Sequence, residues 1–539
     1  MNATRTPVVT VVGGGACGIA TCAALVREAA ATGRTRLELH LVEKQQRLGD
    51  GIAYASPYDW HLLNMQAATM SICPNAPDDF VTWLQGSDHA PTARAGGPAT
   101  NNSTPHQAAY AAAPYDARAS AVPSTTRTAD DPTLHHAYFP RHRFAAYLRH
   151  RFSETVRAAG QAGVRLEVHQ AEVLDCHPWG QRLTLECDRA LQLPSADRAV
   201  LCLGDLPGPT HREFVGHPRY HQDPWRLDDS IPHAATVGIL GTSLSAVDAL
   251  AHLHATGHTS PIHCFSRTRP FPMVQPPDIH PYTLRHLTEE RIAHLTASHL
   301  RLTLVQVADL IIEEIRDATR GQIGAARLVS RARRHDDLAT DIEEAQSHST
   351  NWYEALDATS PLAPSLWRAL HPRAKTEFLA HHQGLWATWR HPMPLPNARR
   401  LHNLIKTGQL HWHPGIKTVR ATRNGGFEVR CRHEGRYSQW HVDHLVNAIG
   451  TGFQPWLAAH PLLGALLDRG VLTAHPHGGV DVDFDTLQAH TAGGQPDTHI
   501  YFVGPLTRGV HFYTNAVETN LANITRMATH LIRSLPPSE

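Results

Sequence analysis

The sequence predicts an α/β fold with two Rossmann-like, dinucleotide-binding domains and a helical insertion. Three observations predict this fold. An apolar strand pattern, a glycine-rich turn and a helix pattern follow one another from Val8 onward, and the same succession begins again at Ala235. Between 281 and 400, acids and bases alternate as they do on exposed helix faces.

The first glycine turn lies in VVTVVGGGACG, where Gly13, Gly15 and Gly18 match G-x-G-x-x-G. Gly13 permits a tight turn, Gly15 lets a pyrophosphate approach the backbone at a helix N-terminus, and Gly18 allows close helix–strand packing. Glu43 ends the next strand, LELHLVE, where an acid hydrogen-bonds an adenosine ribose. We predict a dinucleotide site; the alternative is a purely structural glycine turn.

The second turn lies in ATVGILGTSLSAVDALAHL, and the motif there falls on Gly241, Ser243 and Ala246. Small residues replace two of the three glycines, which weakens the pattern. The following strand, IHCF, leads to Arg267, and an arginine at this place suits the 2′-phosphate of NADP. We predict that Gly241, Ser243 and Arg267 bind NADPH; the alternative is a vestigial unit whose turn only packs.

The loop after Glu43 contains Asn64, Gln66 and Ser71, which we place as hydrogen-bond partners of an isoalloxazine ring. An ordinary connecting loop is the alternative. Residues 86–136 are rich in Ala, Pro, Thr, Ser, Gly and Asn, which predicts a mobile insertion. The alternating stretches RLEVHQAEVLDCHP and RLTLECD predict antiparallel strands.

Strand patterns return near the end of the chain, each followed by a glycine. NAIGTG places Gly450 after a buried strand, and YFVGPLTRG places Gly504 before the last helix. The N-terminus of that helix would point at the pyrimidine end of a flavin, where reduction adds negative charge. Arg390 and His391, at a predicted helix end, and Arg508 are candidates for binding an anionic substrate; solvated charges are the alternative.

Composition excludes several classes of protein. A chain of 539 residues should form two to four domains, and 49 basic residues balance 49 acidic ones, which disfavours a nucleic-acid or membrane-surface partner. We expect no membrane span, no signal peptide and a cytoplasmic location. The eight cysteines form no C-x-x-C pair, which favours reduced thiols. The 41 histidines are dispersed, so we expect no metal site.

The order of these motifs resembles the FAD–NAD(P)-binding family of flavoproteins with two dinucleotide-binding domains. That family is related to the amino-acid N-hydroxylating flavin monooxygenases, including the nitrosuccinate-forming aspartate N-monooxygenases. The resemblance rests on GGGACG, GDGIAYASPYDWHLLNMQAATMSICP, FPRHRFAAYL, GTSLSAVDAL, LWRALHPRAKTEFLAHHQGLWATWRHPMP, NAIGTG and YFVGPLTRG. It departs at Gly504-Pro505, where many flavoproteins have Gly-Asp at the ribityl chain.

The resemblance implies FAD at the first glycine turn, NADPH near Arg267, and N-oxygenation of the amine of a small amino acid, with aspartate as a candidate, through a C4a-hydroperoxyflavin. Its partners would be that amine and O₂, with self-association left open. The alternatives are an NADPH-dependent flavin oxidoreductase without oxygenation and a non-catalytic flavin-binding protein. We expect an FAD-binding domain in 1–232 and 441–539, an NADPH-binding domain in 233–280 with return strands in 401–440, and a helical domain in 281–400.

Overall fold

The computed structural model describes residues 5–87, 132–189, 191–206, 208, 210–227, 230–267, 271–297, 301–331, 338–347, 351–450 and 457–536. Most of the predicted insertion at 86–136 therefore lies outside the described residues. The chain forms two compact units. Unit 1 consists of Met1–Asp59, Gln66–Leu206 and Phe453–Glu539, and unit 2 of Trp60–Met65 and Pro207–Gly452.

The strands and helices are numbered in chain order. The strands are β1 Val8–Val12, β2 Leu37–Glu43, β3 Val164–Gln170, β4 Val173–Trp179, β5 Arg182–Cys187, β6 Arg198–Leu201, β7 Tyr220–His221, β8 Val237–Leu240, β9 Ile262–Ser266, β10 Leu410–Pro414, β11 Ile416–Ala421, β12 Phe427–His433, β13 Arg436–Val442, β14 His444–Asn447, β15 Gln488–His490 and β16 Pro496–Phe502. The α-helices are α1 Ala16–Ala31, α2 Asp79–Ser87, α3 Arg141–Gln161, α4 Leu244–Ala255, α5 Glu289–Thr296, α6 Leu304–Ala318, α7 Ala325–Arg331, α8 Leu338–Ser347, α9 Trp352–Ala358, α10 Ala363–Ala369, α11 Pro372–Glu377, α12 Gln383–Arg390, α13 Leu395–Lys406, α14 Pro461–Asp468, α15 Arg508–His511 and α16 Val517–Ser534.

Unit 1 is built on a sheet with the strand order β15-β16-β6-β1-β2-β3, in which β16 through β3 run parallel. All five residues of β1 are buried because it is a central strand, and parallel sheets are covered on both faces. Helices α1, α3 and α16 pack together, while the β4–β5 hairpin packs against α14. Because β16, β6 and β1 are parallel neighbours in this sheet, their carboxyl ends lie side by side.

Unit 2 contains a second parallel sheet, ordered β10-β9-β8-β14-β7, and a separate antiparallel sheet, β11-β12-β13. Apolar side chains of β8, β9, α4 and α13 form one core cluster. The predicted α/β fold with parallel sheets is confirmed.

The helical stretch between β9 and β10 also matches the prediction, and its helices α5–α13 span Glu289–Lys406. Trp352, Tyr353 and Trp389 form a second buried cluster, with the Trp352 and Trp389 rings edge to face at 4.9 Å between centroids. The helical interruption Phe378–His382 is a π-helical turn. Among the described residues, no helix has the length and apolarity to cross a bilayer.

The unit boundaries differ from the expected ones in two places. We expected the first part of the FAD-binding domain to extend to 232, but unit 1 ends at Leu206 because β7 pairs with β14 in the second sheet. We also placed 441–539 in the FAD-binding domain. Strand β14 instead pairs with β8, so the chain returns to unit 1 only after Gly452.

The predicted direction of one strand is wrong. The stretch RLEVHQ was expected to pair antiparallel with its successors, but β3 pairs in parallel with β2 at the edge of the first sheet. Only β4 and β5 form the antiparallel hairpin.

Candidate functional site

The first glycine turn connects β1 to α1, and its three glycines meet different constraints. Gly13 has φ +102°, and a Cβ there would lie 2.3 Å from the Cys202 carbonyl oxygen. A Cβ at Gly18 would lie 1.8 Å from the Gly13 carbonyl oxygen. The fold itself therefore excludes side chains at these two positions.

Gly15 is different, because the fold does not require a glycine there. Its backbone is extended, with φ −74° and ψ −165°. Outside its own neighbours and helix, a Cβ at Gly15 would meet only Gly51 Cα, at 3.7 Å, among the described residues. The space above Gly15 is thus accessible to a ligand, as the predicted pyrophosphate contact requires.

The N-terminus of α1 supplies the charge complement for such a ligand. Gly15 is its N-cap residue and offers no side-chain cap, and the first turn carries no acidic residue. The first N–H groups of a helix lack intrahelical partners and carry partial positive charge. The turn can therefore bind phosphate oxygens.

Glu43 holds the turn in shape. Its buried carboxylate accepts a hydrogen bond from the Gly14 amide at 2.5 Å and another from the Gln45 amide at 2.7 Å. A carboxylate has lone pairs beyond those two bonds. The predicted contact between Glu43 and a ribose remains a prediction, and the structure adds a second role in fixing the glycine turn.

Two neighbouring strand ends complete this edge of the first sheet. Gly504, after β16, has φ +100°, and a Cβ there would lie 3.2 Å from Cys17 Sγ in the first turn of α1. Beside it, the Arg508 guanidinium pairs with Asp205, which follows β6, and donates from Nε to the Pro505 carbonyl oxygen at 2.8 Å. Gly504 therefore lies against the predicted FAD turn.

The second turn, between β8 and α4, repeats the first turn closely. Gly13 donates its N–H to the Val42 carbonyl, and Gly241 donates its N–H to the Phe265 carbonyl, both at 2.8 Å. Gly241 has φ +111°, and a Cβ there would lie 2.6 Å from the Ala448 carbonyl oxygen. The one glycine that this backbone demands is retained.

Ser243 occupies the place of Gly15 without backbone strain. Its φ of −80° and ψ of −173° nearly equal those of Gly15, and it is the N-cap residue of α4 without a side-chain cap. Ala246 is fully buried in the core of unit 2. The two turns therefore share the backbone conformation of Gly15 and Ser243, but they differ at the Gly18 position, where the second turn accommodates the methyl group of Ala246.

The end of β9 differs from the end of β2 in a way that bears on ligand choice. The carbonyls of Val42 and Phe265 accept the equivalent bonds from Gly13 and Gly241. The residue after Val42 is Glu43, and the residue after Phe265 is Ser266, so Ser266 occupies the place of Glu43. Arg267 comes next in the chain. Ser266 is buried and accepts a hydrogen bond from Trp412 Nε1 at 2.9 Å, while Arg267 is exposed. A cation and a hydroxyl thus replace the acid that a 2′-hydroxyl requires.

The other predicted cofactor contacts are placed as follows. Gly450 follows β14 in unit 2 with φ +73° and is exposed, and apart from its chain neighbours no described residue lies within 4 Å of where its Cβ would stand. Asn64 lies in unit 2 and is half-buried. In unit 1, the buried Gln66 amide lies 3.2 Å from His136 Nδ1, and the Ser71 hydroxyl accepts the Cys73 N–H at 2.9 Å. Their flavin contacts remain predictions.

The three predicted substrate residues have other neighbours. Arg390, at the end of α12, is buried, donates to the Ser360 hydroxyl and lies 3.4 Å from an Asp357 carboxylate oxygen. Arg508 pairs with Asp205, as described above. Burial, together with the nearby Arg390 charge, lowers the pKa of His391 to about 3, so the ring is neutral at pH 7. The guanidinium groups of Arg390 and Arg508 are thus already paired with carboxylates of this chain.

The cysteines form no disulfide bond in the structure. All eight are free, and burial raises the pKa of the Cys17 and Cys22 thiols to about 12. Thiolates are the reactive form of cysteine. Burial therefore favours the thiol form of Cys17, although this residue lies in the first turn of α1.

Sequence reasoning missed several residues that shape this edge. They are Gly14, which donates to Glu43; Cys202, whose carbonyl defines the turn at Gly13; and Asp205, which pairs with Arg508. Asp205 directly follows Gly204 after a predicted strand, and this position in the sequence could have marked it as a residue at the edge of the sheet. The backbone carbonyl of Cys202 leaves no signal in a sequence pattern.

Comparison with known proteins agrees with this architecture. Residues 10–206 match the family model described as FAD-NAD(P)-binding. The match covers much of the first part of unit 1, including the first glycine turn. No curated protein matches the sequence.

Solved structures resemble the chain over nearly its full length. The reduced form of the ornithine hydroxylase PvdA from Pseudomonas aeruginosa has a TM-score of 0.58 at 16% identity, covering 99% of this chain and 100% of that one. L-lysine 6-monooxygenase from Pseudomonas syringae has a TM-score of 0.54 at 15% identity, covering 99% and 100%. The ornithine N-hydroxylase KtzI from Kutzneria sp. 744, in complex with reduced FAD, NADP⁺ and L-ornithine, has a TM-score of 0.54 at 14% identity, covering 98% and 99%. These likenesses show that the chain has the two-domain flavoprotein fold.

Proposed function

We propose that this protein is an FAD- and NADPH-dependent monooxygenase that N-oxygenates the amine of a small amino acid or a related amine. One observation carries the proposal. The chain has two glycine turns that match in backbone conformation at their first two motif positions. An acid ends the strand after the first turn, whereas a serine and an arginine lie at the end of the strand after the second. This difference supports two different dinucleotides, one in each unit.

The first turn fits FAD. The accessible backbone at Gly15 and the uncapped N-terminus of α1 would receive the pyrophosphate, and Glu43 would accept a ribose hydroxyl. Gly504 would lie against the same turn through its contact with Cys17. The family match of residues 10–206 supports this assignment.

The second turn fits NADPH. The N-terminus of α4 is uncapped like that of α1, and Gly241 and Ser243 reproduce the turn in front of it. Arg267 is exposed and directly follows β9, which is the strand next to β8. A 2′-phosphate would need a cation at this place. A site for NADH would require a carboxylate in place of Ser266.

With both cofactors bound, the flavin supplies oxygen transfer from O₂ to the amine after reduction by NADPH. The residues of this chain bind and orient. The helix N-termini would hold the phosphates, and Arg267 would select the phosphorylated ribose. Glu43 fixes the first turn through the Gly14 amide. An unprotonated amine is itself the nucleophile, so the reaction needs no catalytic triad in the protein.

The two arginines that could bind a substrate carboxylate are paired within the chain. Arg390 and Arg508, which we predicted to bind substrate carboxylates, are paired with Asp357 and Asp205. They therefore do not favour an acidic amino acid over a basic one. Aspartate enters through the family resemblance, whereas the structurally similar enzymes KtzI and PvdA are ornithine hydroxylases.

The test is a substrate screen with the FAD-loaded protein. NADPH oxidation is measured with aspartate, ornithine, lysine, cadaverine and the remaining amino acids, and each product is analysed by mass spectrometry for the gain of one oxygen. We expect one amine class to stimulate NADPH oxidation and to gain oxygen. NADPH oxidation that no amine stimulates, with no oxygenated product, would instead identify a flavin oxidoreductase.

A further inference from the structure

A cluster of imidazole and carboxylate groups lies at the β2–β3 edge of the first sheet, separate from the glycine turn. Its members are His40 on β2 and Glu167 and His169 on β3. Because β2 and β3 run parallel, His40 stands opposite Glu167, and His169 lies two residues farther along the same face. The geometry assigns a binding site for a divalent transition metal ion, with Zn²⁺ as the occupant, to these three residues.

The three donor atoms lie close enough together to share one small metal ion. His40 Nδ1 lies 2.9 Å from His169 Nε2, and Glu167 Oε2 lies 3.8 Å from the former and 3.9 Å from the latter. An ion about 2.1 Å from each atom, the usual Zn–N and Zn–O bond length, would lie in the plane of the three donors, so tetrahedral coordination requires the two imidazole nitrogens to move apart by about 0.5 Å. Two histidines and a glutamate are also a known ligand set for zinc.

The surroundings of His40 fit a metal-bound imidazole. Its side chain is 4% exposed and stands opposite Glu167 in the parallel pairing of β2 and β3. Its other nitrogen, Nε2, is buried and makes no hydrogen bond to a described residue, but Glu38 Oε2 lies 3.8 Å away. Metal-bound histidines commonly direct their second nitrogen at such a carboxylate, which sets the tautomer.

A hydrogen bond between His40 and His169 without a metal is the competing explanation for the short distance between the two rings. It accounts for the 2.9 Å contact, and the register of β2 and β3 places Glu167 and Glu38 on the same face. A metal site differs from such a pair in using the third donor, Glu167, together with both rings. The ion would also link the edge strand β3 to β2, the strand that carries Glu43. The site would therefore stabilise the sheet edge.

The experiment measures Zn²⁺ binding to the FAD-loaded protein after treatment with a chelator. Calorimetric titration with ZnCl₂ and elemental analysis after dialysis should both give one tightly bound ion per chain. His169→Ala and Glu167→Gln should weaken this binding by at least about 100-fold, and Glu38→Gln, behind the ligand, by about 10- to 100-fold. Bound FAD, measured by absorbance, verifies that each variant is folded.

A second cluster offers a matched control. Asp175, His177 and Glu186 also lie within ligand distance of one another, but Arg469 pairs with Asp175 and repels a cation there. His177→Ala should therefore leave Zn²⁺ binding unchanged. The absence of a stoichiometric ion in the wild-type protein, or equal binding by the His169 and His177 variants, would overturn the proposal.

Discussion

Replacing Gly15 by alanine separates the folding role of the first glycine turn from its binding role. Gly13→Ala is the matched comparison, because the two glycines lie two residues apart in one turn. At Gly13 the added methyl group meets the Cys202 carbonyl oxygen at 2.3 Å, whereas at Gly15 it meets only Gly51 Cα at 3.7 Å among the described residues.

The expected magnitudes follow from these contacts. Gly13→Ala requires a left-handed backbone, which costs about 1–2 kcal/mol, and overpacks the turn, which costs about 1–3 kcal/mol more. Gly15→Ala changes only the preference for the N-cap residue and should cost less than about 1 kcal/mol. Its methyl group instead crowds a pyrophosphate, and about 1–3 kcal/mol of overpacking would weaken FAD binding about 5- to 150-fold.

The assay combines thermal or urea unfolding of the FAD-free protein with FAD titration followed by quenching of flavin fluorescence. We expect Gly13→Ala to lose stability and Gly15→Ala to lose FAD affinity while keeping its stability. If Gly15→Ala bound FAD like the wild type, the pyrophosphate would not lie on this turn. If the two variants were equally destabilised, the division of roles between the glycines would be refuted.

Arg267→Ala should raise the KM for NADPH at least about tenfold and leave the KM for NADH unchanged, because Arg267 would contact only the 2′-phosphate; equal changes in both would reject this role. Arg390→Ala should destabilise unit 2 by about 3 kcal/mol, because it leaves Asp357 without its partner, and should not change the KM for the amine. A raised KM with full stability would restore Arg390 as a substrate residue. Burial lowers the pKa of His263 to about 4 and that of His413 to about 3 from an unfolded value of 6.5. Between pH 6.5 and 4 the unfolded chain therefore binds more protons than the folded chain, and the free energy of unfolding should fall as the pH drops through this range. A free energy of unfolding in urea that stays constant over this range would contradict the assignment.

The two glycine turns were predictable because their signals are local. A strand, a glycine with positive φ and a helix follow one another within about a dozen residues, and Glu43 and Arg267 lie near the end of the next strand. Even the degenerate second motif kept Gly241, the position whose φ of +111° demands glycine. Local patterns therefore fixed the predicted fold class and the predicted cofactor turns.

The partners of the charged residues were not predictable, because they depend on distant parts of the chain. Arg508 meets Asp205 across 303 positions, and Arg390 meets Ser360 across 30. From sequence, both arginines looked available to a substrate. The structure shows that residues of this chain already pair with them.

Strand direction had the same limit. Alternation identifies β3 as a strand but does not tell whether it runs parallel to β2. The parallel pairing brings His40, Glu167 and His169 together, so the dispersed histidines gave no metal signal in the sequence.

The central claim, N-oxygenation of an amine with NADPH and O₂, is tested most directly with isotopically labelled oxygen. The FAD-loaded protein, NADPH and the amine selected by the screen are incubated under ¹⁸O₂, and the product and consumed NADPH are quantified. We expect one ¹⁸O atom on the amine nitrogen for each NADPH oxidised. NADPH consumption that yields only hydrogen peroxide, with no ¹⁸O in any amine, would contradict the account.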